Sequence, residues 1–266
     1  MVVFSDLDRS IIYSKRFLGE NSKELEIEVY KGENISYISQ KTVNLIKEIN
    51  KNSCFIPTTT RTTEQFKRIE FSKYGLNFKY AITSNGGNIL IDGDIDKDYK
   101  IFIEKKLELS SSIDDTIKLL EKYKSVYGIK KIRKAEEFFF YIVVDKEEFD
   151  LRSIEGFIRE IKGLNWDTYK NGTKVYFVPS ALKKSTAIKY ICDKLNYKQT
   201  FAIGDSIMDK DMLEFCRSSY LLGHGDLVNI LQKENPFLVS KKSGFEGTEE
   251  VLNSIILSQK NLNNNI

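Results

Sequence analysis

Hydrophobic and polar positions alternate along the first third of the chain in a way that predicts strands and helices in turn. Short apolar runs at residues 2–4, 54–57 and 80–83 each end in polar residues, which predicts buried strands of a parallel sheet. Apolar positions at helical spacing predict helices over about 40–51 and 63–74. The strand and helix alternation indicates an α/β fold.

Residues 13–38 interrupt this alternation soon after the first strand. Apolar and polar side chains alternate over 25–30, residues 31–34 have the composition of a turn, and 35–38 form a second short apolar run. This pattern predicts a β-hairpin.

The middle of the chain has a different pattern, which predicts an α+β unit inserted over about 92–172. We expect helices near 111–127 and 150–162 and strands at 138–144 and 174–178. A helix over 184–195 and a strand over 200–203 then resume the first pattern. The predicted organisation is a core of residues 1–91 and 173–266, with residues 92–172 as an inserted domain.

Composition limits the function classes. The 266 residues are 41% hydrophobic and 30% charged, which is ordinary for a globular enzyme, and the net charge of +3 does not indicate a nucleic-acid partner. No apolar run is long enough to cross a membrane, and the N-terminal residues do not resemble a signal peptide. Three separated cysteines argue against a disulfide framework and against a zinc site. We therefore expect a cytoplasmic protein.

Four aspartates follow predicted strands, at the edge where open α/β sheets bind ligands. Asp6 and Asp8 come directly after the first strand. One carboxylate of such a pair can attack phosphorus while the other acts as general acid and base. Asp205 and Asp209 follow a later strand, and their hard oxygens suit Mg²⁺. Each pair could instead cap the next element, and we expect Asp211 to be a solvated acid of the first helical turn.

A second group of polar residues could hold a phosphoryl group. Thr59, Thr60 and Arg61 follow the second strand, where hydroxyl and backbone N–H groups can bind phosphoryl oxygens. Lys184 starts a predicted helix and could neutralise the nucleophile and the phosphate. Taken singly, threonines at such a position are usually helix caps and a lysine is usually at the surface.

Together these residues resemble the four motifs of the haloacid dehalogenase superfamily, in the right order and spanning residues 6–209. The first motif, Asp-x-Asp-x-Thr/Ser, is similar to Asp6-Leu7-Asp8-Arg9-Ser10. Thr59 fits the second motif and Lys184 the third, and Gly204-Asp205-Ser206 with Asp209 fits the fourth. Four weak motifs in order make a specific signal.

Two further features narrow the resemblance to the Cof-type, or IIB, phosphatases with a C2 cap. The insert lies between the second and third motifs, and the sequence Ser-Asn-Gly-Gly at 84–87 is similar to a turn of that group. Sucrose-phosphate and mannosylglycerate-phosphate phosphatases and phosphomannomutases are relatives of this kind. The resemblance implies a Rossmann-like core with a parallel sheet and an inserted α+β cap.

The resemblance also implies roles. Asp6 would be the nucleophile that forms an aspartyl-phosphate, and Asp8 the acid and base. Mg²⁺ would be bound by Asp6, the backbone carbonyl of Asp8 and Asp205, with Asp209 assisting. Thr59 and Lys184 would hold the phosphoryl group, Asn85 would help near the substrate, and Thr60 and Arg61 are additional candidates. The implied reaction is Mg²⁺-dependent hydrolysis of a small phosphorylated metabolite, for which a sugar phosphate is the expected class.

The sequence departs from the pattern at some positions. Arg9 stands where glycine is common, so its guanidinium could bind a second substrate anion, although pairing with a surface acid is the favoured interpretation. Met208 replaces a common asparagine, and Thr60 a common glycine, without removing a catalytic group. The hairpin is longer than is usual after the first motif, and it could close the site or contact a protein.

Two alternatives to a phosphatase remain at this stage. A phosphomutase of related fold would return the phosphoryl group to the sugar. A non-catalytic regulatory or binding protein would use the same scaffold and the long hairpin to contact a partner. We expect a small phosphorylated substrate as the ligand and neither nucleic acid nor membrane as a partner, and the sequence specifies no oligomeric state.

Overall fold

The computed structural model describes residues 1–19, 23–123 and 128–263, with side chains up to residue 261. The predicted hairpin region and the helix predicted over 111–127 therefore each include residues outside the described ranges. The strands are β1 (Val2–Ser5), β2 (Leu25–Tyr30), β3 (Glu33–Ile38), β4 (Cys54–Pro57), β5 (Tyr80–Thr83), β6 (Asn88–Ile91), β7 (Asp94–Ile95), β8 (Ile129–Ala135), β9 (Phe139–Val144), β10 (Trp166–Asn171), β11 (Lys174–Pro179), β12 (Thr200–Gly204), β13 (Ser218–Leu221) and β14 (Leu238–Val239). The helices are α1 (Gln40–Asn50), α2 (Thr63–Lys67), α3 (Lys97–Leu107), α4 (Ile113–Glu121), α5 (Glu155–Lys162), α6 (Lys184–Leu195), α7 (Lys210–Phe215), α8 (Asp226–Leu231) and α9 (Gly244–Asn263).

A parallel sheet of strand order β14-β13-β12-β1-β4 forms the centre of the molecule. Strands β12, β1 and β4 are short and largely buried, as expected when both faces are covered, whereas the edge strand β14 is exposed. Because the strands are parallel, the residues that follow β1, β4 and β12 all emerge at one edge of the sheet. The predicted α/β fold with a parallel sheet is confirmed.

Alternate residues of β1 point into two separate hydrophobic clusters. Val2 and Phe4 belong to a cluster completed by α3, α6 and α7, and Val3 belongs to one completed by α1 and α9. All three side chains are fully buried. The period-two alternation of a strand thus explains the three-layer arrangement of helices, sheet and helices.

The third predicted strand, β5, joins the sheet only loosely. It forms a small antiparallel sheet with β6 and β7 and touches β4 through an isolated parallel bridge between Thr58 and Ile82. The chemistry of β4 explains this, because Pro57 has no N–H and the N–H of Phe55 donates to the side chain of Asn50. The first full bond towards β5 is from the N–H of Thr59 to the carbonyl of Ile82, at 2.9 Å.

The hairpin of β2 and β3 is confirmed. Its turn residues Lys31 and Gly32 both have positive φ, of 52° and 80°, which matches the tight turn that suits the twist of a two-stranded hairpin. The register shifts on either side of Glu28, so that Ile27 and Glu28 are both buried. This local irregularity places a carboxylate inside the protein.

The hairpin also shortens the helix that was predicted over 63–74. Regular α-helix ends at Lys67, and a separate 3-10 turn covers Phe71–Tyr74. Between them, Ile69 forms a bridge with Glu28, and the N–H of Glu70 donates to the carbonyl of Ile27. Pairing with the hairpin therefore replaces the middle of the predicted helix.

A second sheet of order β10-β11-β9-β8, entirely antiparallel, lies with α4 and α5 in a unit that we call the cap. Phe140, Val175 and Phe177 point to one face of this sheet, where they pack with Leu120 of α4 and Phe157 of α5. The opposite face turns towards the central sheet. Within the described residues, no helix is both long and apolar enough to span a bilayer.

Candidate active site

Asp6, the predicted nucleophile, is the first residue after β1 and is buried. Its backbone N–H donates to the carbonyl of Ile203 in β12, which continues the ladder one step beyond the strand. Its Oδ1 accepts a hydrogen bond of 2.7 Å from Nζ of Lys184, and among the described residues no hydrogen bond engages its Oδ2. Asp6 lines a cavity of about 640 Å³ between the central sheet and the cap. One carboxylate oxygen is therefore fixed and the other is available.

Lys184 and Asp209 form the base of the site, and both are completely buried. Lys184 begins α6 and also donates to Oδ1 of Asp209, at 2.6 Å. The second oxygen of Asp209 accepts from the backbone N–H groups of Asp205 and Ser206 and from the hydroxyl of Ser206. Asp209 is thus saturated with hydrogen bonds, and it anchors both the lysine and the turn after β12.

Asp205 faces Arg9 rather than the lysine. Nε of Arg9 lies 3.2 Å from Oδ2 of Asp205, but the two atoms are not aligned for a hydrogen bond, and this buried carboxylate oxygen has no hydrogen-bond partner. Arg9 has a φ of 64°, which is unusual for a residue other than glycine. His224 fixes it, because Nη2 of Arg9 donates to the carbonyl of His224 and the imidazole Nε2 lies 2.9 Å from the carbonyl of Arg9. Arg9 therefore pairs with a buried acid. The favoured interpretation, in which it pairs with a surface acid, is wrong.

Asp6, Asp205 and Asp209 each present a carboxylate oxygen within 4.8 Å of the others. Burial, reinforced by the charge of Asp209 and only partly offset by Lys184, raises the pKa of Asp6 to about 7. Burial and the charges of Asp209 and Asp6 also raise the pKa of Asp205. The same two acids outweigh the effect of burial at Lys184 and raise its pKa. The buried carboxylates repel one another, and one oxygen of Asp205 has no hydrogen-bond partner. Both features are expected of a site that binds a divalent cation, so these residues fit Mg²⁺.

Asp8 is half exposed and is held by Arg61 through two parallel hydrogen bonds. Nε of Arg61 donates to Oδ2 of Asp8 at 2.7 Å, and Nη2 donates to Oδ1 at 2.8 Å. The third guanidinium nitrogen donates to Oε2 of Glu28 at 2.9 Å. Glu28, from the hairpin, is completely buried and also accepts from Arg68 and from Ser36. A chain of alternating charges thus connects the predicted acid and base to the hairpin.

The predicted phosphate-binding residues converge on the same place. The N–H of Asn85 donates to the carbonyl of Thr59 at 3.0 Å, and Nδ2 of Asn85 donates to the carbonyl of Leu182, just before α6. Oδ1 of Asn85 is buried without a partner. The hydroxyl oxygen of Thr59 accepts from the N–H of Arg61 and can still donate. Thr60 and Arg61 line the cavity.

The turn at 84–87 requires its glycine. Ser84, Asn85 and Gly86 have φ values of 53°, 57° and 94° in succession. A Cβ added at Gly86 would lie 2.3 Å from the carbonyl oxygen of Lys183, the residue before Lys184. The close approach of these two backbones brings Asn85 to the start of α6.

Three residues near the site were missed or misassigned by the sequence. Glu28 was assigned to the polar face of an alternating strand, and the register shift is what buries it. Its partners Arg61 and Arg68 were visible in the sequence, but the sequence does not show that they meet Glu28. Glu136, in the turn between β8 and β9, accepts from Ser84, Asn88 and Thr63 and connects the cap to the core. Asp211 was expected to be solvated, but its Oδ2 accepts from the N–H of Ser185 at 2.7 Å and so caps α6.

Comparisons with known proteins agree with the motifs. A family model of haloacid dehalogenase-like hydrolases matches residues 124–226. An uncharacterised protein of Mycoplasma capricolum is 25% identical over 231 residues, which cover 74% of this chain and 86% of that protein.

Solved structures extend the likeness over almost the whole chain. The sucrose-phosphatase of Synechocystis, solved with sucrose and phosphate, matches with a TM-score of 0.71 at 16% identity over 96% of each chain. A sugar phosphatase of haloacid dehalogenase subclass IIB matches with a TM-score of 0.63 at 11% identity, over 96% of this chain and 98% of that one. These matches confirm the fold of core and cap. The family model thus supports the predicted resemblance to haloacid dehalogenase-like hydrolases over residues 124–226, and the solved structures share the fold of the whole chain.

Proposed function

Because the chain has the fold and the family signature of a haloacid dehalogenase phosphatase, we propose that it hydrolyses small phosphomonoesters through an aspartyl-phosphate on Asp6. One observation carries the proposal. Asp6 lies at the bottom of a cavity with Oδ1 bonded to the buried Lys184 and Oδ2 without a hydrogen bond from any described residue. A carboxylate held in this way presents one oxygen to an incoming phosphorus.

The residues around Asp6 divide the remaining tasks. Lys184 neutralises the nucleophile and an attached phosphoryl group, the hydroxyl of Thr59 is a donor for a phosphoryl oxygen, and Asn85 helps near the substrate by holding the backbone of Thr59. We propose that Asp6, the Asp8 carbonyl and Asp205 hold Mg²⁺ and that Asp209 assists by positioning Lys184 and the turn after β12. When bound, the cation offsets the charge that develops on the phosphoryl oxygens.

Asp8 would give a proton to the leaving oxygen and then take one from the attacking water. Both of its oxygens bond to Arg61 in this structure. Each oxygen keeps a second lone pair, so Asp8 can exchange a proton with the substrate while Arg61 holds its orientation. Glu28 would keep Arg61 in place during this exchange.

We further propose that the core and the cap are two domains. The predicted insert was 92–172. Two observations favour limits further along the chain, because Tyr99 and Ile103 of α3 pack in the core cluster and β11 stays in the cap sheet as far as Pro179.

A sugar phosphate is the proposed substrate class. The proposed setting is a reducing compartment such as the cytoplasm, which the three unpaired cysteines support.

The test is the release of inorganic phosphate from 4-nitrophenyl phosphate and from a panel of sugar phosphates, with and without Mg²⁺. We expect Mg²⁺-dependent turnover by the wild type, loss of turnover in Asp6→Asn, and retention in Asp193→Asn, which changes an exposed acid on α6. Product analysis separates hydrolysis from the mutase alternative, since a mutase gives an isomerised sugar phosphate. A well-folded wild type that binds Mg²⁺ and turns over no substrate would contradict the proposal.

A further inference from the structure

The cavity above Asp6 contains more positive charge than a single phosphoryl group needs. Among its lining cations, Arg9, Arg61, Arg68 and Lys134 are each paired with a carboxylate. Within the part of the chain that the structure describes, Arg16, Lys146 and Lys174 line the same cavity and have no ion pair. The unpaired cations are therefore separate from those that hold the catalytic acids.

Lys174 is the one among them that the fold directs at the site. It begins β11, where Val175 and Phe177 point into the hydrophobic cluster of the cap. The alternation of a strand turns Lys174 and Tyr176 to the opposite face, and both line the cavity. Tyr176 stacks beside Tyr141 with ring centroids 5.4 Å apart, and Nζ of Lys174 lies 5.2 Å from the centre of the Tyr141 ring.

The electrostatic surroundings of Lys174 indicate an anion that is still to be bound. The side chain is open to the cavity, yet enough protein surrounds it that burial lowers its pKa; the charge of Asp8 opposes this effect, and that of Arg61 adds to it. Asp8 is already neutralised by the two hydrogen bonds of Arg61. An ammonium group beside two tyrosine rings and without a carboxylate suits a negatively charged ligand group.

Lys184 and a cation held by Asp6 and Asp205 would suffice to offset the phosphoryl group. Lys174 lines the same cavity from β11 of the cap, whereas Asp6 follows β1 of the central sheet. The cavity volume of about 640 Å³ is within the range of sites for small molecules, about 300–1,000 Å³, and so has room for a ligand that spans both positions.

We propose that the substrate carries a second anionic group, either a carboxylate or a second phosphate, which Lys174 of the cap binds while the scissile phosphate lies at Asp6. This inference rests on the proposed function and names the substrate class of that site. The two tyrosine rings would contact the carbon skeleton between the two anions. Lys174 is then a specificity-determining residue, and a neutral sugar phosphate is a poorer ligand than its anionic counterpart.

The test compares paired ligands that differ in the second anion. Fructose 6-phosphate is paired with fructose 1,6-bisphosphate, and glucose 6-phosphate with 6-phosphogluconate, so that the two pairs separate a phosphate from a carboxylate. Dissociation constants are measured by calorimetry in the Asp6→Asn background, where no turnover interferes. Lys174→Met removes the charge, Lys174→Arg retains it, and Lys170→Met is the matched control, because Lys170 also lies over an aromatic ring of the cap but does not line the cavity.

We expect the anionic member of at least one pair to bind about tenfold more tightly or better, the usual contribution of a hydrogen bond to a charged group. Lys174→Met should remove most of this preference, Lys174→Arg should restore it, and Lys170→Met should leave it unchanged. With Asp6 intact, Lys174→Met should lower kcat/KM for the preferred anionic ligand more than it lowers kcat/KM for 4-nitrophenyl phosphate, since that substrate has no second anion.

Equal affinity within both pairs would overturn the inference, and so would a preference that survives in Lys174→Met. An equal loss on every ligand, 4-nitrophenyl phosphate included, would also overturn it and would make Lys174 a general part of the site. Failure of the proposed function is distinguishable. A wild type that hydrolyses no aryl phosphate with Mg²⁺ but keeps the Lys174-dependent preference would refute hydrolysis and leave the dianionic ligand in place.

Discussion

Asp6, Asp205 and Asp209 concentrate negative charge in a buried space where the nearest cations are Lys184 and Arg9. The pKa of Asp6 is raised to about 7 because burial and Asp209 together exceed the opposing effect of Lys184. At neutral pH without a divalent cation, Asp6 is therefore only partly ionised. The chemistry of the nucleophile and the binding of a cation are consequently linked to one proton.

This linkage predicts how Mg²⁺ affinity depends on pH. A cation binds the ionised carboxylate, so below pH 7 it must displace a proton from Asp6. We expect the apparent affinity to rise as pH increases from about 5.5 to 7 and to level off above it, by up to about tenfold for each pH unit for one linked proton. Calorimetry in buffers of different ionisation enthalpy measures both the affinity and the proton released. A profile that is flat in wild type, or equally steep in Asp6→Asn, would contradict the assignment.

Arg9 gives a second prediction at the scale of one residue. Its guanidinium lies 3.2 Å from the carboxylate of Asp205, so it competes with a cation for that oxygen. Arg9→Gly removes the competing charge and relieves the positive φ, and we expect Mg²⁺ to bind roughly three- to tenfold more tightly. Arg16→Gly, at another arginine of the cavity rim, is the control and should leave Mg²⁺ affinity unchanged. Unchanged or weaker binding in Arg9→Gly would show that Arg9 does not oppose the cation.

Among the elements, the hairpin of β2 and β3 has a role that the sequence did not indicate. It inserts the carboxylate of Glu28 between Arg61 and Arg68, and Ser36 on its second strand completes the hydrogen bonding. The hairpin is thus part of the wall that positions Asp8 through Arg61. This use of the hairpin corresponds to the option that it closes the site, while its exposed tip, with Val29 and Tyr30, leaves the option of a protein contact open.

Removing the charge of Glu28 should reveal this role. Glu28→Gln leaves two arginines without their common buried partner, and we expect the free energy of unfolding to fall by about 3 kcal/mol. Urea unfolding measures this loss, and kcat for 4-nitrophenyl phosphate should fall as well, since Arg61 loses one of its anchors. Glu26→Gln, on the exposed face of the same strand, is the matched control. If both variants were equally stable and active, Glu28 would have no positioning role.

Elements with strong periodicity were predictable from the sequence, whereas elements that depend on partners were not. The central strands and α6 follow directly from their apolar patterns. The shortened α2 was not predictable, because the pairing of Ile69 with the hairpin replaces local propensity. Strand β8 was obscured by its run of lysines and arginines, which an edge strand exposes to solvent.

At the scale of the whole molecule, the cap is attached to the core by the turn between β8 and β9. Glu136 accepts hydrogen bonds from Ser84 and Asn88 through Oε2 and from the N–H of Thr63 through Oε1. Next to it, the ring of Phe138 is so close to Gly87 that a Cβ there would lie 2.6 Å from it. The turn that carries Asn85 is therefore clamped from the cap side as well as from α6.

Glu136→Gln should loosen this attachment. One carboxylate oxygen becomes an amide nitrogen, so at least one of the three donors loses its acceptor, at a cost of about 1–3 kcal/mol. We expect faster hydrogen exchange at residues 84–88 and in the turn between β8 and β9, with KM increasing more than kcat decreases. Glu137→Gln is the control, because the carboxylate of Glu137 is next in sequence, is exposed and pairs with Lys100. Identical exchange in the two variants would refute the clamp.

The residues of the candidate site were predictable because their motifs lie at strand ends, and a parallel sheet brings those ends to one edge. The contacts of Arg9, Glu28, Glu136 and Lys174 were not predictable, since each depends on how the hairpin or the cap packs on the core. The sequence alone does not show to which face of its strand the side chain of Lys174 points. The register of β11 with β9, which pairs Tyr176 with Tyr141, is what directs Lys174 at the cavity.

The most direct test of the mechanism is to trap the phosphoryl group on the protein. Wild type and Asp8→Asn are mixed with 4-nitrophenyl phosphate and Mg²⁺, quenched in acid, and digested for mass spectrometry of the peptide that contains Asp6. We predict one added phosphoryl group on Asp6, with more accumulating in Asp8→Asn because water is no longer activated, and none in Asp6→Asn. Turnover by wild type with no phosphorylated peptide in either protein, or with the group on another residue, would contradict the assignment of Asp6 as the nucleophile.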